Sequence, residues 1–225
     1  MKTFFIYTIL VISIFFASCK EDAIDDPVDF KKEYFPIEKG CWIEYQVDSI
    51  HWTNLGTVKV DSFKYNMRLK VDTTLLDNSG RIVHKLLKYI FDDSLGWQIK
   101  EVATVLQTNT GLEKFENNTR YLKLVWPVAK NTKWNVNTYN NLAEILAKYT
   151  TVDEAKTIGN KNFEKCATVT LENFLTLIGN DFDEEIYAKN VGLVQRKIIH
   201  IETNTNGVIK NGYKYTCSYL NHGKE

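Results

Sequence analysis

The sequence predicts a mainly β fold, an antiparallel meander curled into an open or half-closed β-barrel, with a two-sheet β-sandwich as the alternative and at most one or two short helices. Three observations predict it. Apolar side chains recur at every second position along most of the chain, turn residues break these runs at hairpin spacing, and a single stretch carries helical spacing. Phe63, Tyr65, Met67, Leu69 and Val71 alternate with Lys64, Asn66, Arg68, Lys70 and Asp72. A strand of that pattern turns an apolar face to a core and a polar face to water.

Along the chain, Cys41, Ile43, Tyr45 and Val47 share one face while Glu44, Gln46 and Asp48 take the other. Val58 and Val60 lie on the opposite parity from Phe63, which predicts a bulge or bend near Asp61-Ser62. Ala167, Val169 and Leu171 repeat the alternation, as do Tyr213, Tyr215, Cys217 and Tyr219. Turns are expected at Asp77-Asn78-Ser79-Gly80, Asp92-Asp93-Ser94, Ile158-Gly159-Asn160, Lys189-Asn190 and Asn206-Gly207. The helical exception is Leu142, Ile145, Leu146 and Tyr149, where Asn141 and Glu144 suit a capping-box-like start. Roughly ten strands in residues 34–225 make one domain whose sheet must fold over on itself or curl.

The N-terminus reads differently. Met1 and Lys2 precede an uncharged stretch from Thr3 to Ala17, shorter than the roughly 20 apolar residues of a membrane span and diluted by Tyr7, Thr8 and Ser13. Residues 1–18 have the layout of a cleavable signal peptide. Phe16-Ala17-Ser18-Cys19 resembles a lipobox, with Phe16 standing where Leu is usual, and this resemblance implies cleavage before a diacylglyceryl-modified Cys19. Two or more acyl chains anchor a protein stably to a membrane. Lys20-Glu21-Asp22 resembles the surface-export signal of lipoproteins in the Bacteroidetes group, which implies an outward-facing place on the outer membrane, with a periplasm-facing one as the alternative. Residues 19–33 are charged and contain Pro27, and as a flexible tether they would hold the domain on the order of 20 Å from the lipid.

Two further blocks carry a resemblance. Tyr34-Phe35-Pro36-Ile37-Glu38-Lys39-Gly40-Cys41-Trp42-Ile43-Glu44-Tyr45 resembles the opening strand of a group of envelope lipoproteins, and Tyr187-Ala188-Lys189-Asn190-Val191-Gly192-Leu193-Val194 resembles their late hairpin. The resemblance implies a curved sheet related in shape to periplasmic lipoprotein carriers and transfers no activity.

Composition narrows the function classes. The chain has 225 residues, with 28 basic and 28 acidic side chains and a net charge of +0, so it offers no large single-sign field for nucleic acid. No metal or cofactor is implied: His51, His84, His200 and His222 lie far apart and fit no zinc pattern, and no nucleophile elbow, P-loop or C-x-x-C occurs. Cys41, Cys166 and Cys217 are expected as core residues, with Cys166 to Cys217 the candidate pair if a disulfide forms. Asp181, Asp183, Glu184 and Glu185 read as a solvated acidic loop. Aromatic residues make up 13% of the chain, and Trp42, among Glu44 and Gln46 on the polar face, is the candidate ligand-facing ring. The reading that follows is a non-enzymatic, lipid-anchored envelope protein that binds a hydrophobic ligand or an envelope partner. The alternatives are a surface hydrolase acting on glycans, with carboxylates from loops such as 181–185, and an assembly or structural factor of an outer-membrane complex.

Overall fold

The computed structural model describes residues 28–54 and 56–225. The signal peptide, the lipobox with Cys19 and the Lys20-Glu21-Asp22 tripeptide lie outside these residues. Among the described residues twelve strands form one antiparallel sheet. They are β1 (Cys41–Asn54), β2 (Val58–Leu76), β3 (Ile82–Asp92), β4 (Gly96–Gln107), β5 (Gly111–Glu116) and β6 (Thr119–Val125). They continue as β7 (Lys133–Asn135), β8 (Leu146–Ile158), β9 (Lys161–Leu175), β10 (Gly179–Ala188), β11 (Gly192–Thr203) and β12 (Ile209–Lys224). The spatial order β6-β5-β4-β3-β2-β1-β12-β11-β10-β9-β8-β7 departs from sequence order only where the last strand pairs the first. The result is a nearly closed β-barrel with one unsealed seam, between edge strands β6 and β7.

Alternation builds the interior. Tyr45, Val47, Met67 and Cys217 pack together from β1, β2 and β12, while Val71, Leu86, Val105, Leu112, Tyr149 and Val169 belong to a larger cluster toward the seam. The hairpins follow the expected turn residues at 77–80, 92–94, 158–160, 189–190 and 206–207. A further tight turn at Asn117-Asn118 places both residues in the left-handed region, at φ 49° and 59°, as a two-residue hairpin demands. Gly212 marks a close approach: its φ is +119°, and a Cβ there would sit 2.0 Å from the carbonyl oxygen of His200 on β11.

Two expectations fail. No bulge forms at Asp61-Ser62, because β1 and β2 pair in unbroken register from Trp42↔Lys70 to Asn54↔Val58. The parity change costs nothing there: Val58, Val60 and Phe63 are all exposed, since this hairpin end projects beyond the core. The irregularity falls instead between Val71 and Thr73. Nor is 141–149 helical. Residues 136–142 form turns and bends, 143–145 are irregular and β8 begins at Leu146, with Leu142 and Leu146 exposed and Tyr149 fully buried. Asparagine amides hold the turns: Asn137 donates to the Ala143 carbonyl, and Asn135 accepts from the Asn137 and Ile145 N–H groups. These bonds compete directly with a helical ladder.

The seam is bridged by side chains and one backbone bond. The Leu122 N–H donates to the Val136 carbonyl at 2.9 Å, and the Trp134 indole N–H donates to the Leu122 carbonyl at 3.0 Å. The Tyr149 hydroxyl donates to the Val125 carbonyl at 3.0 Å and accepts from the Val125 N–H at 3.2 Å.

A strap crosses one end of the barrel. Lys32–Tyr34 form a single 3-10 turn; the Phe30 carbonyl accepts from Val128, and the Glu33 carbonyl accepts from Asn190. Lys31 and the Tyr34 hydroxyl both reach Asp153, at 2.5 and 2.8 Å, and Lys189 pairs with Glu33 at 2.6 Å. Tyr34 is fully buried in the seam-side core. The last residues of the segment expected as tether are thus bonded to the barrel.

Candidate functional site

Between the strap and the barrel wall lies a cavity of about 150 Å³, well above the roughly 10–15 Å³ that holds one water molecule. It is lined by Phe35 and Pro36 of the strap, by Ile43, and by Val191 and Gly192 of the β10–β11 turn. Leu69, Val71, Leu86, Val105 and Leu112, on strands β2 to β5, line it as well. The alternation seen in the sequence therefore supplies the apolar wall.

Part of the lining is charged. Lys114, Glu116, Lys123, Glu185 and Arg196 line the cavity with Tyr187. Arg196 lies four residues along β11 from the turn at Gly192, or about 13 Å at 3.3 Å per residue. Glu185 is completely enclosed. Its carboxylate accepts from Lys123 at 2.7 Å and from the Tyr187 hydroxyl at 2.5 Å, and Arg196 stands at 3.5 Å. Burial alone would raise this carboxyl, but Lys123 and Arg196 together with the hydrogen bonds hold it at about 2. Arg196 also grips Asp183 at 2.8 and 3.2 Å, and the two carboxylates raise its affinity for a proton against the effect of burial. Glu116 pairs with Lys114; burial opposes its ionisation, and Lys114 overrides that to hold it below the usual carboxylate range.

The acidic stretch expected as a loop is strand β10. Its side chains meet partners on β11: Glu185 pairs in register with Arg196, and Asp181 with His200, and each pair is also in contact through its side chains. A carboxylate pair for glycoside hydrolysis needs one member kept protonated. Both carboxylates of the cavity, Glu116 and Glu185, are instead held ionised.

Trp42 is half-buried at the cavity mouth, opposite Gly223, where a Cβ would strike its ring at 2.7 Å. The Arg68 guanidinium lies over it at 4.8 Å and over Trp97 at 4.6 Å, and it bonds Glu44 at 2.5 and 2.9 Å. The ring is therefore capped by a cation and only partly open. Cys166 and Cys217 are free thiols, contrary to the candidate disulfide. Cys166 pairs with Ala188, and Cys217 with Arg196. The two thiols are buried in different core clusters, Cys166 with Phe163, Ala188 and Val194, and Cys217 with Tyr45, Val47 and Met67. Burial pushes the thiols up to about 11 and about 12, so both stay protonated and inert.

Lys123, Arg196, Lys114 and the strap residue Phe35 were not singled out by the sequence. The available signal was a charge at an inward-parity position within an alternating strand, as Glu185 is beside Tyr187.

No protein-family model matches the chain, and no curated protein matches it. Two solved structures resemble it. One is a candidate lipoprotein from Parabacteroides distasonis, 13% identical with a TM-score of 0.39 over 88% of this chain and 100% of that one. The other is a candidate exported protein with a YmcC-like fold from Bacteroides fragilis, 13% identical with a TM-score of 0.37 over 87% of this chain and 100% of that one. Similarity at this level carries no argument about the present chain.

Proposed function

We propose that the chain is an envelope lipoprotein, anchored through lipid on Cys19 to the outer membrane and facing outward, whose barrel binds a hydrophobic ligand in the cavity behind the strap. The cavity carries the binding half of this reading: apolar side chains from four consecutive strands line one concave space, and small-molecule sites are lined mostly by such side chains. The anchoring half rests on the Phe16-Ala17-Ser18-Cys19 lipobox and the Lys20-Glu21-Asp22 tripeptide. Nothing in the cavity favours hydrolysis, since neither of its carboxylates is poised to donate a proton.

Both halves are testable in a Bacteroidetes host. The full chain is expected to incorporate labelled fatty acid, to fractionate with membranes and to be shaved by protease on intact cells, while Cys19→Ala does none of these; an unlabelled wild type would reject the anchor. Binding is read with the neutral fluorophore N-phenyl-1-naphthylamine. Leu69→Trp fills the cavity from β2 and is expected to weaken probe binding by about tenfold or more, the effect of losing a good apolar site, while the thermal melt stays cooperative. Equal binding by this variant and the wild type would place the probe elsewhere and reject the cavity as the site.

A further inference from the structure

We infer that the end of the barrel opposite the strap inserts into a lipid surface through the tips of three neighbouring hairpins. The topology sets which turns share that end. Strand β1 leaves the strap and runs away from it, so in this antiparallel order the β1–β2, β11–β12 and β9–β10 turns all lie at the far end. Their strands are adjacent in the sheet, as β2-β1-β12-β11-β10-β9. One row of paired residues, Asp61, His51, Tyr213, His200, Asp181 and Phe174, crosses these strands just behind the turns, which brings the three tips to a similar level. Beyond that row stand bare aliphatic side chains. Leu175 and Leu177 are 76% and 77% exposed, and Val60, Ile178 and Val208 are each more than half exposed. Among the described residues of the strap end, the turns at 108–110, 159–160 and 189–191 expose no large apolar side chain; the β2–β3 hairpin does, through Leu75, Leu76 and Ile82.

The composition and the backbone of the tips favour lipid over a protein partner. Protein interfaces concentrate their energy in Trp, Tyr and Arg, with Leu and Val under-represented. Here the outermost side chains are Leu, Ile and Val on three separate turns, which a fluid bilayer accepts without a shaped counterpart. Each turn also closes its own backbone. The Asn54 side chain accepts from the Gly56 N–H at 3.1 Å, Thr176 from Ile178 at 3.4 Å, and Asn204 from Asn206 and Val208 at 3.0 and 2.9 Å. These donors stay paired when the tips leave water. Behind the tips come amphipathic rings, Tyr213 between His51 and His200 at 5.7 and 5.9 Å, and Trp52 beside the Lys214 ammonium. Aliphatic residues followed by aromatic ones is the order met at a membrane–water interface. Charges on the three hairpins are mixed: Lys59 pairs with Asp61, His200 with Asp181, and Lys210 is offset by Glu202. Anionic lipid is therefore not required. The tips point away from the strap and from the segment that leads back to Cys19, so the lipid they enter lies opposite the one that holds the proposed anchor.

The test takes the full chain purified from bacterial membranes and held by its N-terminal end in phosphatidylcholine vesicles fixed on beads. Fluorescent phosphatidylcholine vesicles are then offered in solution. The wild type is expected to capture them, equally well with or without added phosphatidylglycerol and in high salt. Leu177→Glu and Val208→Glu, on different turns, are each expected to lower capture about tenfold or more, the loss when one such side chain stays in water. Leu76→Glu, at a comparably exposed leucine of the strap end, is expected to leave capture unchanged. No capture by the wild type, wild-type capture by both tip variants, or an equal loss in Leu76→Glu overturns the inference. So does capture that vanishes in high salt or needs anionic lipid. A chain that does not enter the bead-held vesicles counts against the anchor and not against the tips; it is then mixed with the free vesicles and sedimented, with the same variants read by the same outcomes. A retained cooperative melt for each variant separates these results from misfolding.

Discussion

Glu185→Ala is expected to destabilise the barrel by about 3–5 kcal/mol, the cost of removing one partner from a buried ion pair. The loss has a specific cause. Lys123 would lose its hydrogen-bonded carboxylate, the Tyr187 hydroxyl would lose its acceptor, and Arg196 would fall back on Asp183 alone. Urea unfolding at pH 7 measures the change as a lower midpoint at an unaltered slope; a cost below about 1 kcal/mol would show that the Lys123–Glu185–Arg196 group does not hold the interior together. The same residue gives the wild type a defined acid sensitivity. Its folded value of about 2 lies below the ordinary value of 4.5, so the unfolded chain takes up the proton first as pH falls. The stabilisation is complete above about pH 4.5 and is lost progressively down to about pH 2, by about 3 kcal/mol in all. Subtracting the pH profile of Glu185→Ala from that of the wild type isolates this contribution from other carboxylates, and a flat difference between pH 5 and 2 would refute it.

Tyr149→Phe is expected to cost about 1–3 kcal/mol, because deleting one oxygen removes the partner of two part-buried backbone groups, whose loss costs up to about 1–3 kcal/mol each when fully buried. Elsewhere in the barrel, backbone ladders join neighbouring strands. At the seam the Tyr149 hydroxyl takes that role for Val125, as both donor and acceptor. The substitution keeps the ring, which packs against Trp134 with centroids 4.7 Å apart, so the apolar contact survives and the lost bonds are read alone. Amide hydrogen exchange should accelerate at Val125 and Leu122 while β1 and β12, the strands farthest from the seam in the order of the sheet, keep their protection. Uniform acceleration across the barrel would mean that the seam opens only with global unfolding.

What the sequence revealed, and what it hid, divides along one physical line. Alternation is local, so strands with one buried face, such as Phe63–Val71 and Tyr213–Tyr219, could be read directly, and so could turns marked by Gly, Asn and Asp. The false helix at 141–149 arose because Leu142, Ile145, Leu146 and Tyr149 sit at helical spacing by coincidence; a run of asparagine-anchored turns gives way there to a strand whose Tyr149 answers to a distant partner. Charge was misread for a similar reason. Glu185 looked like part of a solvated acidic run because nothing local shows that β11 places Arg196 opposite it and that Lys123 arrives from the far side of the seam. The cysteines depended on parity across different strands, which bulges shift, so their proximity could not be judged from spacing. The cavity itself could be foreseen only as an unplaced site for a hydrophobic ligand, since part of its wall comes from the strap, whose docking depends on Asp153 and Asn190 more than a hundred residues away.

The strap also determines how the molecule meets a mechanical load. Any pull on the chain before residue 28 enters the barrel through Phe30, Lys31 and Glu33, which are held by a handful of isolated bonds to separate parts of the chain. These bonds break one after another, as in peeling. Force then passes through Gly40 to β1, whose fourteen residues are laddered on both sides by β2 and β12 and, drawn lengthwise, share the load among many bonds at once. The strap is thus a weak link in series with a strong one. Because Phe35 and Pro36 of the strap form part of the cavity's wall, tension applied to the N-terminal segment would loosen that wall before it threatened the fold.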